Sequence, residues 1–131
     1  MNMLKLSMIT LVVPDYDEAI AFYVGALGFE IVEDTDMGKG KRWVVVAAAD
    51  GSRILLAKAA DEAQEKAVGN QTGGRVGFFL ETDDFAACYE RFRARGVAFE
   101  ENPRSEAYGT VAVFTDPFGN RWDLIEHRKA A

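Results

Sequence analysis

The chain nearly repeats itself, and this restricts its possible folds more than any other feature. At an offset of 69 residues, Met8-Ile9-Thr10-Leu11 lies on Gly77-Phe78-Phe79-Leu80, and Asp15-Tyr16 lies on Asp84-Phe85. Past the first predicted helix the offset becomes 68: Gly28 matches Gly96, Gly51 matches Gly119 and Arg53 matches Arg121. A period this long excludes a solenoid. It describes one half-domain, duplicated and paired with itself.

Each half carries the same local signals. Leu4 to Val13 is rich in β-formers and stops at Pro14, after which Asp15 offers an N-cap with Glu18 three residues on. Tyr16, Ile20, Tyr23 and Leu27 then recur at helical spacing until Gly28. Phe29 to Asp34 reads as a strand, and Arg42 to Ala49 and Ser52 to Lys58 form a hairpin across Asp50-Gly51. In the second half Arg75 to Thr82 is a strand, and Asp83-Asp84 caps a helix with the stripe Phe85, Cys88, Tyr89 and Phe92. Gly96 stops that helix, and strands follow over Val97 to Glu101, Ala107 to Thr115 and Asn120 to Glu126, the last two joined by Asp116-Pro117-Phe118-Gly119. Two βαβββ modules result, about 1–58 and 75–127, with a connector at 59–74 that carries a short helix over Asp61 to Val68. At 131 residues they make one domain.

Composition excludes several functions. The formal charge of −6 and a pI near 4.8, without a basic cluster, argue against nucleic acid. No apolar run reaches bilayer-spanning length, and the N-terminal stretch has no leader-like cleavage motif. One Cys and no leader point to a reducing, cytoplasmic setting. Cys88 lies in a helix stripe and reads as a small buried apolar group; Gly38-Lys39-Gly40-Lys41 lacks phosphate-loop spacing and reads as a solvated turn. The single His127 reads as a solvated residue beyond the last strand.

Three stretches carry a resemblance: Ile9-Thr10-Leu11-Val12-Val13-Pro14-Asp15, Ala21-Phe22-Tyr23 with Leu27-Gly28-Phe29, and Asp116-Pro117-Phe118-Gly119-Asn120. Through them the chain resembles the vicinal oxygen chelate superfamily, which includes glyoxalase I, bleomycin-resistance proteins and extradiol dioxygenases. The resemblance implies an α+β fold in which two βαβββ modules form an eight-stranded open cup with helices outside, as a homodimer. It does not imply one activity, because the fold hosts lyases, isomerases, dioxygenases and drug binders.

Metal-using relatives seat a divalent ion on the opening and closing strands of both modules. By this resemblance the seats fall at Met8, Gly77, Leu55 and Asp123, and the repeat pairs Met8 with Gly77 and Leu55 with Asp123. Asp123 alone suits a hard or borderline divalent ion, whereas catalytic Zn needs about three protein ligands. The expectation is no metal site and no cofactor.

Strand alternation assigns the rest of the cup wall. Thr10, Val12, Arg53, Ala57, Arg75, Phe79, Glu81, Arg121 and Ile125 share the face of the seats, while Ile9, Leu11, Val13, Ile54, Leu56, Trp122 and Leu124 face the helices. Trp43 and Tyr108 begin paired strands near the mouth, placed to stack on a flat ligand; Trp122, Tyr16, Tyr23, Phe85 and Phe92 read as core. The ligand-binding candidates are therefore Thr10, Trp43, Arg53, Phe79, Glu81, Tyr108, Arg121 and Asp123. An Arg would orient an anionic or carbonyl group. Asp123 reads two ways: ion-paired with Arg53 or Arg121 and held acidic, or buried with a raised pKa and able to act as a base. The leading expectation is a metal-free protein that binds a small molecule in the cup. The alternatives are a divalent-metal lyase or isomerase, and a metal-independent enzyme using Asp123 for proton transfer.

Overall fold

The computed structural model describes residues 2–129. Its chain divides into two compact units between Val68 and Gly69. The first unit contains β1 (Ile9–Val13), helix α1 (Tyr16–Ile20), β2 (Glu30–Gly38), β3 (Lys41–Ala47), β4 (Arg53–Lys58) and α2 (Glu62–Ala67). Its sheet runs β1-β4-β3-β2, with β1 parallel to β4 and the other pairs antiparallel. The second unit contains β5 (Val76–Glu81), α3 (Phe85–Ala94), β6 (Ala98–Phe99), β7 (Arg104–Glu106), β8 (Gly109–Thr115) and β9 (Arg121–His127). Its sheet runs β5-β9-β8-β6, with β7 also paired to β8. The fold is α+β: a βαβββ unit, then a second unit of the same order with one added strand, β7.

The repeat reappears in the strand registers. Thr10 pairs with Leu55 in the first sheet and Phe79 with Asp123 in the second, at offsets of 69 and 68. Val45 opposite Leu55 becomes Val113 opposite Asp123, and Ala47 opposite Arg53 becomes Thr115 opposite Arg121. The caps recur as well: Asp15 Oδ2 accepts the Glu18 N–H at 2.9 Å, and Asp84 Oδ1 accepts the Ala87 N–H at 3.1 Å.

The change of offset has a structural cause. Between Tyr16 and Gly28 the first unit has one residue more than the second has between Phe85 and Gly96. That residue is absorbed where α1 continues as a π-helix over Ala21–Ala26, while α3 is α-helical throughout. A π-turn holds one more residue than an α-turn, so a single insertion widens the helix without rotating its buried face. Gly25 lies in this segment, exposed, and a methyl group added there would meet nothing within 4 Å. Gly25→Ala is expected to stabilise the protein by about 0.5–1 kcal/mol by removing unfolded-state freedom, read as a small rise in thermal midpoint.

Three expectations change in detail. The opening strand starts at Ile9 rather than Leu4, because its partner β4 begins at Arg53 and offers no ladder beyond Ile54. Met3, Leu4 and Leu6 are consequently exposed, and Ile9, assigned to the helix-facing core, is 47% exposed at the strand end. The strand expected over Val97 to Glu101 is reduced to β6, and β7 follows it, giving the second sheet five strands. Pro103, which lacks an N–H for the ladder, sits at the break.

Each unit packs its helix on one sheet face. In the first, Leu11, Val13, Val44, Val46 and Leu56 are buried with Tyr16, Ala19 and Tyr23 of the helix. In the second, Phe92 of α3 meets Phe114 edge-on at 5.7 Å, and Phe114 stacks on Trp122 at 5.8 Å, which stacks on Phe78 at 4.8 Å. Cys88 is buried in α3, and burial pushes its thiol above the ordinary range, so it packs rather than reacts. Among the described residues no helix is long and apolar enough to cross a membrane.

Candidate functional site

The helix-packed faces define the opposite faces by alternation. In the first unit Arg42 marks the helix side: its backbone N–H donates to the Tyr16 hydroxyl at 3.1 Å, and its guanidinium reaches Asp17 and Asp34. The Arg42 bonds hold the Asp34 carboxyl below the usual range. Trp43, one residue on, therefore looks the other way. It shares that face with Thr10, paired to Leu55, and with Arg53, paired to Ala47. Thr10 and Arg53 are exposed and Trp43 is half-buried. Tyr108 is in the second unit, in the turn between β7 and β8, so it and Trp43 mark corresponding strands of separate sheets rather than strands paired with each other.

In the second unit Phe79, Glu81, Asp123 and Arg121 all lie on the face turned away from α3, because Phe79 pairs with Asp123, Glu81 with Ile125, and Trp122 points to the helix. Phe79 is 67% exposed, an unusual state for so large an apolar ring directly beside a carboxyl group. Tyr108 is 49% exposed in the β7–β8 turn, at the end of the same sheet. Its turn is clamped by Arg128, which donates to the Glu106 carbonyl at 2.8 Å and the Ala107 carbonyl at 3.2 Å, while the Arg128 N–H donates to the Tyr108 carbonyl at 2.7 Å.

Asp123 is the energetic anomaly of this face. Its Oδ1 is buried without a hydrogen-bond partner, and it takes part in no ion pair among the described residues. The expected pairing with Arg121 does not form because Glu100 captures that guanidinium: Nε donates to Glu100 Oε2 at 2.8 Å, Nη2 to Oε1 at 3.0 Å, and Nη1 to the Gly74 carbonyl at 3.0 Å. Burial pushes the Asp123 carboxyl above its ordinary range; the positive charge of Arg104 opposes the shift, the negative charge of Glu101 adds to it, and Arg121 opposes it in turn. The reading of Asp123 as a strongly acidic, ion-paired group is thus overturned.

His127 is also not a tail residue. It is the last residue of β9, opposite Gly109, and its Nε2 lies 3.1 Å from Glu81 Oε1. Sequence reasoning stopped the strand one residue early.

A cluster that the sequence reading missed lies around the broken strand. Arg104 donates from Nε to Glu101 Oε1 and from Nη1 to Glu106 Oε1, both at 2.7 Å. Glu101 Oε2 accepts the backbone N–H of Val113 at 2.9 Å, standing in for the ladder bond that the interrupted strand cannot supply. Burial alone would raise the Glu101 carboxyl, but the Arg104 and Val113 donors outweigh it and the net shift is downward. Pro103 was the available signal: a proline inside a strand-length run implies a break whose orphan N–H needs a side-chain acceptor. Glu101→Ala leaves the buried Val113 N–H unpaired and is expected to cost about 1–3 kcal/mol, measurable by urea unfolding. Glu101→Gln, which keeps the acceptor, is expected to recover part of that loss.

The donor set does not fit a divalent ion. Of the four positions implied as seats, Met8 offers only a thioether, and Leu55 and Gly77 offer no side-chain donor. Gly77 lies in a β-bulge between Val76 and Phe78, and a Cβ there would run into the Thr72 methyl, so a side chain at this position requires Thr72 to move. The cations nearest Asp123 in effect, Arg104 and Arg121, oppose a bound metal. No group of three His, Cys, Asp or Glu side chains among the described residues is placed to hold one.

Comparison with known proteins agrees with this architecture. The sequence model described as the Glyoxalase/Bleomycin resistance protein/Dioxygenase superfamily matches residues 5–124. An uncharacterized protein of Shewanella frigidimarina (strain NCIMB 400) is 50% identical over 121 residues, covering 90% of each chain. The crystal structure of UcmS2 superposes with a TM-score of 0.82 at 34% identity, covering 95% of this chain and 98% of that one. TnmS3, an antibiotic binding protein from Streptomyces sp. CB03234, superposes with a TM-score of 0.77 at 28% identity, covering 98% of this chain and 99% of the other.

Proposed function

Since the chain belongs to the Glyoxalase/Bleomycin resistance protein/Dioxygenase superfamily, we propose that it binds a small molecule on the sheet face of Phe79 and Asp123, without a metal. One observation carries this reading. An exposed aromatic ring and a carboxyl oxygen without a partner sit side by side in register. Both arrangements cost folding stability, and such costs accumulate at sites that serve a ligand. TnmS3, to which the chain is similar, is an antibiotic binding protein, which supports the same class of function. Tyr108, held in the β7–β8 turn by Arg128, is a further exposed ring of the second unit. Thr10, Trp43 and Arg53 lie on the corresponding face of the first unit, which is a separate candidate face. A homodimer of this single-domain chain is part of the proposal.

Asp123 favours a second reading specifically. Burial moves its carboxyl in the direction that a general base requires, so proton transfer from a bound ligand is the alternative. The first reading predicts that flat aromatic compounds in a thermal-shift screen raise the melting temperature of the wild-type protein and not of Phe79→Ala. A screen in which Phe79→Ala responds like wild type would remove this face as the site. Turnover of a hit compound, lost in Asp123→Asn with binding retained, would establish the second reading instead.

A further inference from the structure

The charge arrangement on the second sheet selects among possible ligands. Resting on the binding reading above, we infer that the ligand is a flat ring compound bearing a hydrogen-bond donor, as an ammonium or hydroxyl group, and no acidic group. The ring lies on Phe79 and the donor meets Asp123.

Three observations lead there. First, Phe79 and Asp123 are register partners on adjacent strands, which places the ring beside the carboxyl. Cross-strand partners are the closest side-chain neighbours on a sheet face, so one ligand of a few rings spans both. Second, Asp123 has acceptor capacity that the protein does not use: Oδ1 is buried without a partner, Oδ2 is the oxygen left accessible and makes no hydrogen bond among the described residues, and Glu100 holds the guanidinium on the same strand. An unused acceptor recognises a donor, and a ligand without one leaves it unpaired.

Third, the two guanidiniums that act on Asp123 are already committed. Arg104 serves Glu101 and Glu106. Arg121 serves Glu100 through two of its nitrogens and the Gly74 carbonyl through the third. Each of these cations is neutralised by a protein carboxylate, and further acid remains in Glu81, which is 68% exposed beside His127. A carboxylate or sulfonate placed against Asp123 would meet an acid whose neighbouring guanidiniums are both taken, and like-charge juxtaposition opposes binding. On this face, then, neither Arg104 nor Arg121 is free to orient an anionic group of the ligand.

The experiment is a calorimetric titration of the full-length protein at neutral pH with naphthylmethylammonium, naphthylmethanol and naphthoate, one ring system with three polar groups. The expected order of affinity is ammonium, then hydroxyl, then carboxylate, with about tenfold or more between first and last. Asp123→Asn, which keeps the size of the side chain, should level the series. Phe79→Ala should weaken all three alike. Naphthoate binding as tightly as the ammonium compound overturns the inference and leaves the binding reading standing. A series that keeps its order in Asp123→Asn also overturns it, because selectivity would then come from elsewhere. No binding by any of the three, or binding indifferent to Phe79→Ala, overturns both.

Discussion

Asp116→Ala is expected to lower stability by about 3–5 kcal/mol, as much as emptying a large core position of the second unit. Asp116 is 4% exposed and organises the β8–β9 turn. Its Oδ1 accepts the Phe118 N–H at 3.0 Å and the Asn120 N–H at 2.8 Å, and its Oδ2 accepts the Asn120 side-chain amide at 2.6 Å. Asn120 is equally buried, so removing the carboxylate strands several donors away from water. Burying an unpaired donor costs more than the net value of the bond it made, so the loss exceeds that of an ordinary surface turn. The backbone of Gly69 packs so closely on Phe118 that a Cβ there would collide with the Phe118 carbonyl, so a displaced turn also loses this neighbour. Against a typical total of about 5–15 kcal/mol, the variant should melt roughly 10–20 °C lower. Asp116→Asn, which retains one carbonyl acceptor, should fall between the two. An alanine variant that melts within a few degrees of wild type would show that the turn is not held by this carboxylate.

Asp123→Leu should do the reverse: raise stability by about 1–2 kcal/mol and abolish binding at the Phe79 face. The repeat supplies the control, because the corresponding residue of the first unit is Leu55, in the same register on its own sheet. The substitution thus gives the second face the side chain that the first already accommodates. Its pH dependence has a definite sign. Burial raises the folded-state pKa of Asp123 above that of the unfolded chain. The folded state therefore binds the proton more tightly, and stability falls as pH rises through that range. The advantage of Asp123→Leu should be full at neutral pH and shrink as the wild-type carboxyl takes up its proton under acid. Glu101 behaves oppositely: its pKa is lowered in the folded state, so its contribution is present at neutral pH and lost as pH falls through the folded value. Melting curves of wild type and Asp123→Leu from pH 4 to 8 separate the two effects, because the Glu101 contribution is common to both proteins. A gain in stability that does not change with pH would mean that the introduced leucine packs well but that charge burial was never the cost.

Local chemistry determined much of this protein without reference to its folded form. Glycines and aspartates at matched positions announced two βαβββ units, and the caps at Asp15 and Asp84 form in register with the repeat. Period-two alternation correctly sorted Phe79, Glu81, Arg121 and Asp123 onto one face, because side-chain direction in a strand follows from backbone geometry alone. The change of offset from 69 to 68 was also visible, although its meaning as a π-helical insertion was not.

Tertiary structure decided which charged groups meet. Alternation places Arg121 and Asp123 on one face and invites an ion pair, but Glu100, from the segment after β6, reaches the guanidinium with two oxygens and takes it. Pro103 could be read as a break, yet only the folded sheet shows Glu101 turning to complete β8 and Arg104 gathered between two carboxylates. Partner choice among ions depends on distances of a few ångströms between segments far apart in sequence, and burial then sets each pKa. Sequence periodicity determines the face on which a residue lies; only the packed chain determines whether its charge is satisfied, and for Asp123 one oxygen is left without a partner.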